Sequence, residues 1–274
     1  MSLKQNIYRT LKSKPVFWRN ILNVKSRVGY LSSPAAILPQ PLKNVVNDLN
    51  QKGIGFATFE DVFPGESLES FVKEVQQEKE KYLADQYSKK NDEKDFMHFI
   101  LGLEPTFEKD SLWNKIASHP NLQAIADNYF GLKNCEMRYY NIWLHESRGD
   151  EPHGSQLWHR DREDLQILKI FIYLNDVDTS QGPFIYAPST HVKGLVKQQP
   201  EHKLEHGVKR TTDDMMNAIV PKEKWQSAKG KAGTVVFADT HGYHKGGFVR
   251  EGERLLFTAM YVSPSCQRRY FKSN

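Results

Sequence analysis

The chain has 274 residues, 39% hydrophobic and 12% aromatic, enough apolar material for one large core or two small ones and too much for a disordered chain. Its formal charge of +5 is local: Lys4, Arg9, Lys12, Lys14, Arg19, Lys25, Arg27 and Lys43 all precede Asp48, the first acid, and the remainder is slightly acidic. A uniformly basic nucleic-acid binder is excluded on that distribution, and a disulfide framework or cysteine zinc site is excluded by having only Cys135 and Cys266.

No run approaches the roughly 18 apolar residues of a membrane-spanning helix. A secretory core is lacking too, because Val16-Phe17-Trp18 is cut by Arg19 before Ile21-Leu22. The expectation is a cytoplasmic, reducing compartment, with mitochondrial targeting as the alternative, since the front is basic, acid-free and serine-bearing. Residues 1–41 read as a basic N-terminal extension and 42–274 as the main domain. In the extension Leu3, Ile7 and Leu11 fall at helical spacing, Pro15 suits a first-turn position, and Phe17, Trp18, Ile21 and Leu22 form a second apolar face. Leu31 to Pro41 reads as a linker. Three roles stay open for this front: docking to an anionic surface or partner, packing on the body, or targeting.

A short helix is expected over Leu42 to Lys52, closed by Gly53, then a strand over Ile54 to Phe59. Glu66 to Lys90 suits a helix with Leu68, Phe71, Val72 and Val75 inward and Glu74, Glu78, Lys79, Glu80 and Lys81 solvated. Ser111 to Asn128 suits another. From residue 135 the pattern becomes period two: Glu136 to Leu144, Gln166 to Leu174, Pro183 to Ala187, Gly233 to Ala238 and Arg254 to Val262 read as strands. A polar insertion, about 197–229, carries a helix near Asp213 to Ile219. The core is therefore expected to be mainly β with flanking helices, a barrel or jelly roll.

Trp158-His159-Arg160-Asp161 places an imidazole and a carboxylate two apart, on one side of an extended segment. His244, after the strand Thr234 to Ala238, is a third ligand, with His241 as its competitor. Two histidines and one carboxylate with open positions suit a non-heme Fe(II) oxygenase. His145, His153, His191, His202 and His206 read as surface or hydrogen-bonded residues. Arg254 opens the last strand and points inward with Leu256, Thr258 and Met260. Inside a barrel it needs an anion, which the distal carboxylate of a dicarboxylic keto acid supplies; a turn salt bridge to Glu251 or Glu253 is the structural alternative.

The ordered set His-x-Asp, some eighty residues, then His and an Arg about ten residues on, resembles the phytanoyl-CoA dioxygenase-like family of Fe(II)/2-oxoglutarate oxygenases. Asn175-Asp176, Gly182-Pro183-Phe184 and Pro188-Ser189-Thr190-His191 resemble further family landmarks, over roughly residues 50–264. The resemblance implies a double-stranded β-helix (jelly-roll) core, iron ligands His159, Asp161 and His244, 2-oxoglutarate held by Arg254, and O2 as oxidant. It also implies a co-substrate contact for Asn141 and hydroxylation of a C–H bond; the mixed charge of the insertion, from Lys203 to Asp214, points to a small polar substrate or conjugate, and the charge distribution to no nucleic-acid partner. Related halogenases lack the carboxylate, so Asp161 argues for hydroxylation or a related oxidation. Two positions depart from the family pattern: Gly246 stands where a serine often helps the arginine, and Thr190 where glycine or serine is usual. Lys169, grouped by parity with Phe171 and Tyr173, could supply a second cation to the co-substrate or point to solvent. A non-catalytic ligand-binding β-barrel and a cupin-type metalloenzyme that does not use 2-oxoglutarate remain as alternatives. The insertion and the loop His145 to Ser155 are expected to cover the pocket.

Overall fold

A computed structural model describes residues 13–33, 37–86, 96–147, 151–205, 208–267 and 271. Eleven strands are present among them: β1 (Ile54–Thr58), β2 (Met97–Phe99), β3 (Glu136–Glu146), β4 (Leu168–Tyr173), β5 (Phe184–Tyr186), β6 (Lys203–Glu205), β7 (Val208–Arg210), β8 (Gln226–Ala228), β9 (Thr234–Asp239), β10 (His244–Lys245) and β11 (Glu253–Val262). They make a six-stranded antiparallel sheet in the order β1-β9-β4-β11-β3-β2, a three-stranded sheet β10-β5-β8, and the hairpin β6-β7. The core is thus the jelly roll of the two expected forms, two facing sheets rather than a closed barrel.

The central strand β11 is apolar at almost every position because the large sheet is covered on both sides. Leu255, Phe257, Ala259 and Tyr261 join one core with helix residues Leu42, Val45, Phe71, Val75, Ile125 and Tyr129. The opposite face carries Arg254, Leu256, Thr258 and Met260, which pair across β3 with His145, Trp143, Asn141 and Tyr139. Leu256 there packs with Phe171, Tyr173, Phe184 and Tyr186 between the two sheets. The polar members of this second face are the candidate site residues.

Some expected boundaries shift for local reasons. The helix expected over Ser111 to Asn128 is two, Leu112–Ala117 and Pro120–Phe130, because Pro120 cannot donate to a preceding turn and instead opens the second helix. The charged helix spans Leu68–Gln86. The expected linker is largely ordered: Leu31 and Ser32 end the helix Val24–Ser32, Leu38 is buried, and Pro39 caps the helix Gln40–Gln51.

The basic front is fastened to the body. Trp18 is only 1% exposed, and its indole donates to Asp164 Oδ1 at 2.6 Å. Asn23 Nδ2 donates to Ser265 Oγ at 2.9 Å and Arg27 Nη1 to the Gly131 carbonyl at 2.8 Å. Leu3, Ile7 and Leu11 lie outside the described residues.

Candidate metal centre

His159 and His244 face each other through a two-way backbone bridge: each amide donates to the other's carbonyl at 3.0 Å. Bridged residues point to the same side of a ladder, and the ring centroids stand 4.3 Å apart. Two residues on, the Asp161 amide donates to the Thr240 carbonyl at 2.9 Å, which turns its carboxylate to the same place. One ligand atom from each of His159, Asp161 and His244 lies within 4.8 Å of the others. His241 is not part of this group; its amide donates to Asp239 Oδ1 at 3.0 Å.

Both rings are oriented by the same device. His159 Nδ1 lies 2.9 Å from the Leu157 carbonyl and His244 Nδ1 lies 3.0 Å from the Gly242 carbonyl, each two residues earlier. A ring donating from Nδ1 turns its Nε2 lone pair toward the centre, the arrangement of a metal-ligating imidazole. Burial pushes both imidazoles below their ordinary range and keeps them neutral.

Burial pushes the Asp161 carboxyl up, but the Lys169 ammonium, joined by His244 and His159 once acid protonates them, outweighs it and holds the group well below the usual carboxylate range. Lys169 Nζ lies 2.6 Å from Asp161 Oδ2, yet Oδ2 is buried without a directed hydrogen bond. Two nitrogen donors and an unfinished carboxylate, all turned to one point, fit a borderline divalent metal such as Fe(II).

Arg254 is 3% exposed and has no carboxylate at ion-pair distance among the described residues. Its Nε is buried without a partner, and Nη1 reaches only the Gly247 carbonyl, at 3.4 Å. Burial draws the guanidinium down to about 10, so it stays charged at neutral pH. Glu253 does not follow it inward; that carboxylate pairs with Lys79 Nζ at 2.5 Å. A buried, unpaired cation is costly unless an anion joins it. Gly246 lies beside the guanidinium: a Cβ there would stand 3.4 Å from Nη2. The donor set and its surroundings therefore fit a dicarboxylate.

Lys169 and Asn141 lie on the site face with other partners than a co-substrate. Lys169 pairs with Met260 on β11, six positions from Arg254 and so roughly 20 Å along the strand; its ammonium goes to Asp161. The Asn141 amide accepts from the Leu101 amide at 3.2 Å and donates to the Gly102 carbonyl at 2.8 Å, tying the segment after β2 across the sheet.

His145, expected at the surface or hydrogen-bonded, is 6% exposed with Nδ1 unpartnered. Burial and the facing Arg254 push it well below the ordinary imidazole range. Its parity with Asn141 and Trp143 was the only signal in the sequence. The insertion is seated on the ligand segment: Trp158 and Thr211 exchange backbone hydrogen bonds at 3.1 and 3.0 Å, and the Gly154 amide reaches Glu205 Oε1 at 3.5 Å.

The phytanoyl-CoA dioxygenase (PhyH) family profile matches residues 52–252. The structure is similar to SnoN, a non-heme alpha ketoglutarate dependent epimerase from nogalamycin biosynthesis, with TM-score 0.56, 15% identity, and 81% of this chain and 83% of that one covered. EctD from S. alaskensis, solved with bound Fe, aligns with TM-score 0.56 and 14% identity over 88% of this chain and 84% of its own. SnoN in complex with Fe3+, alpha ketoglutarate and nogalamycin RO aligns with TM-score 0.56 and 14% identity over 85% of this chain and 95% of its own. At such identities the likeness is one of fold. A search of curated proteins found no match to the chain.

Proposed function

The chain belongs to the phytanoyl-CoA dioxygenase family of Fe(II)/2-oxoglutarate-dependent enzymes, and from that premise we propose that it hydroxylates a C–H bond of a small polar substrate. In this reading His159, Asp161 and His244 hold Fe(II), and Arg254 grips the distal carboxylate of 2-oxoglutarate. The bound iron, with the keto acid and O2, supplies the oxidation: the substrate gains a hydroxyl while 2-oxoglutarate becomes succinate and CO2.

The observation that carries the proposal is Arg254, buried, charged and without a carboxylate partner, beside Gly246. Gly246 is two residues past His244, a span of roughly 7 Å on extended backbone, which a five-carbon dicarboxylate can bridge. The Leu157 and Gly242 carbonyls fix the two rings, Lys169 holds the Asp161 carboxylate, and Asn141 pins the 101–102 segment over the same face. Asp161 fills the position that a halogenase would leave open, which favours hydroxylation.

Melting curves test it. Ni(II) in place of iron should raise the melting temperature, and 2-oxoglutarate should raise it further only when metal is present. His159→Ala should lose both shifts and Arg254→Ala only the second. A wild-type protein unmoved by metal and keto acid would point to a non-catalytic binding barrel.

For the basic front we propose docking to an anionic surface from a reducing, cytoplasmic setting. Val24, Val28 and Leu31 fall at helical spacing and are 46%, 58% and 63% exposed, on a segment with no acid before Asp48. Among the described residues no helix is long and apolar enough to cross a membrane. Sedimentation with phosphatidylglycerol vesicles but not with phosphatidylcholine vesicles is expected; equal behaviour with both contradicts it.

A further inference from the structure

Beyond the metal ligands and Arg254, one more arginine sits against the centre with its donors unspent. Arg210 ends β7. The next residue, Thr211, bridges Trp158 in an antiparallel pair, and one step along that register sets Arg210 opposite His159. His159 therefore has His244 on one flank and Arg210 on the other.

Side-chain parity agrees. Trp158 turns away from the ligands, into an apolar cluster with Ala187, Met216 and Val220, and its indole donates to Asp213 Oδ1 at 2.8 Å. Thr211, its bridge partner, points the same way and donates to the Glu201 carbonyl at 2.6 Å. Arg210, one residue earlier, must point to the His159 side. Burial lowers the Arg210 pKa, against the pull of the Glu205 carboxylate and, less strongly, of Asp161.

The Arg210 side chain is 14% exposed, and its Nε and Nη1 are buried without hydrogen-bond partners. The simple alternative is a structural ion pair with Glu205. That pair is incomplete: Nε to Glu205 Oε2 is 3.6 Å, and Oε2 is likewise unpartnered. Buried donors left open are destabilising unless a ligand completes them. Nε and Nη1 each form a bidentate edge together with Nη2, and either edge suits one group well, an oxyanion bound through two oxygens.

We propose that Arg210 receives an anionic group of the substrate, a carboxylate, sulfate or phosphate ester, and holds the rest of the molecule against the metal. This rests on the oxygenase reading and names its substrate class. The seat is distinct from that of the keto acid, because Arg254 lies past His244 on the opposite flank of His159. The insertion thereby becomes the element that chooses substrate, supplying Arg210 from its hairpin.

Sulfate is the probe. Protein loaded with Ni(II) and saturating 2-oxoglutarate is melted in increasing sulfate, with ionic strength held constant by chloride. Wild type should show a saturable rise, about 2–4 °C at ten times the dissociation constant for a chain this size. Arg210→Gln should keep the metal and keto-acid shifts and lose the saturable part, leaving only the shallow rise that sulfate gives any protein; Arg210→Lys should retain part of it. A wild type with no saturable rise, or Arg210→Gln matching wild type, overturns the proposal. The same comparison on metal-free protein separates the two readings: missing metal and keto-acid shifts would sink the oxygenase reading, whereas an Arg210-dependent sulfate response would still stand.

Discussion

Lys169 Nζ lies 2.6 Å from Asp161 Oδ2, and that same oxygen is 3.8 Å from His244 Nε2. The single carboxylate of the centre is therefore shared between a fixed cation and the metal position. A nearby ammonium opposes a divalent cation and favours the anion that joins it; at an effective dielectric of about 20 the effect of one charge a few ångströms away is on the order of 1–4 kcal/mol. Lys169→Met is expected to tighten Ni(II) binding and weaken 2-oxoglutarate binding to the loaded site, each by about tenfold. Calorimetric titration of both ligands reads the two changes; movement of both affinities in one direction would contradict the charge-balance account.

In the proposed assignment Arg254 is the cation that faces the distal carboxylate, and Arg254→Ala removes it. Truncating one partner of a buried charge pair costs about 2–5 kcal/mol, so 2-oxoglutarate binding should weaken by roughly 30-fold or more. Metal affinity should stay near wild type. Titration of keto acid into the Ni(II)-loaded variant checks both points.

Gly246 has room for a small side chain, since a Cβ would meet Arg254 Nη2 at 3.4 Å and the Ser155 carbonyl at 3.7 Å. Gly246→Ser is expected to fold and to place a hydroxyl near the keto acid's carboxylate. One added hydrogen bond to a charged group contributes about 1.5–3 kcal/mol, so the KM for 2-oxoglutarate should fall by about tenfold or more. An unchanged or raised KM would show that the wild-type pocket already satisfies that carboxylate.

Trp18 joins the front to the body through a buried indole and its bond to Asp164. Asp164 also receives the Ser263 amide at 2.9 Å and the Ser263 hydroxyl at 2.6 Å. Trp18→Ala should therefore destabilise the whole domain, by about 3–5 kcal/mol. Urea unfolding followed by Tyr and Trp fluorescence measures it; a loss under about 1 kcal/mol would mean that the front is only loosely attached.

Lys193 is half-buried against Tyr129, with its ammonium 4.0 Å from that ring centroid and 2.8 Å from Asn50 Oδ1. Burial and the Arg19 charge draw its pKa down to about 7, below its ordinary 10.5. Between these values the unfolded chain binds a proton that the folded chain has lost, so stability should rise with pH from about 7 to 9.5. Lys193→Met should flatten that rise. Denaturant unfolding across the interval decides it.

The long strands were legible because the large sheet is covered on both faces or alternates cleanly, as in Arg254 to Val262. The triad was legible because residues two apart on extended backbone share a side, so His159 and Asp161 announce one point in space. Most short elements were not: β2, β6, β7, β8 and β10 have two or three residues each, too few to show a period, whereas β5, equally short, was marked by Gly182-Pro183 before it. Contacts distant in sequence were equally hidden. Nothing near Trp18 signals Asp164, and nothing near Lys169 signals that its ammonium goes to Asp161 rather than toward Arg254. Arg210 reads as one charge among several in a polar insertion until the Trp158–Thr211 bridge sets its register beside His159.

The most direct test of the central claim follows carbon through the reaction. The purified protein, with Fe(II), ascorbate, O2 and 1-labelled 2-oxoglutarate, should release labelled CO2 and form an equal amount of succinate. Turnover should be slow without substrate, and His159→Ala and Asp161→Ala should abolish it. Absence of CO2 release from wild type that has bound both iron and 2-oxoglutarate, or release undiminished in His159→Ala, would contradict the assignment of these residues to an oxygenase centre.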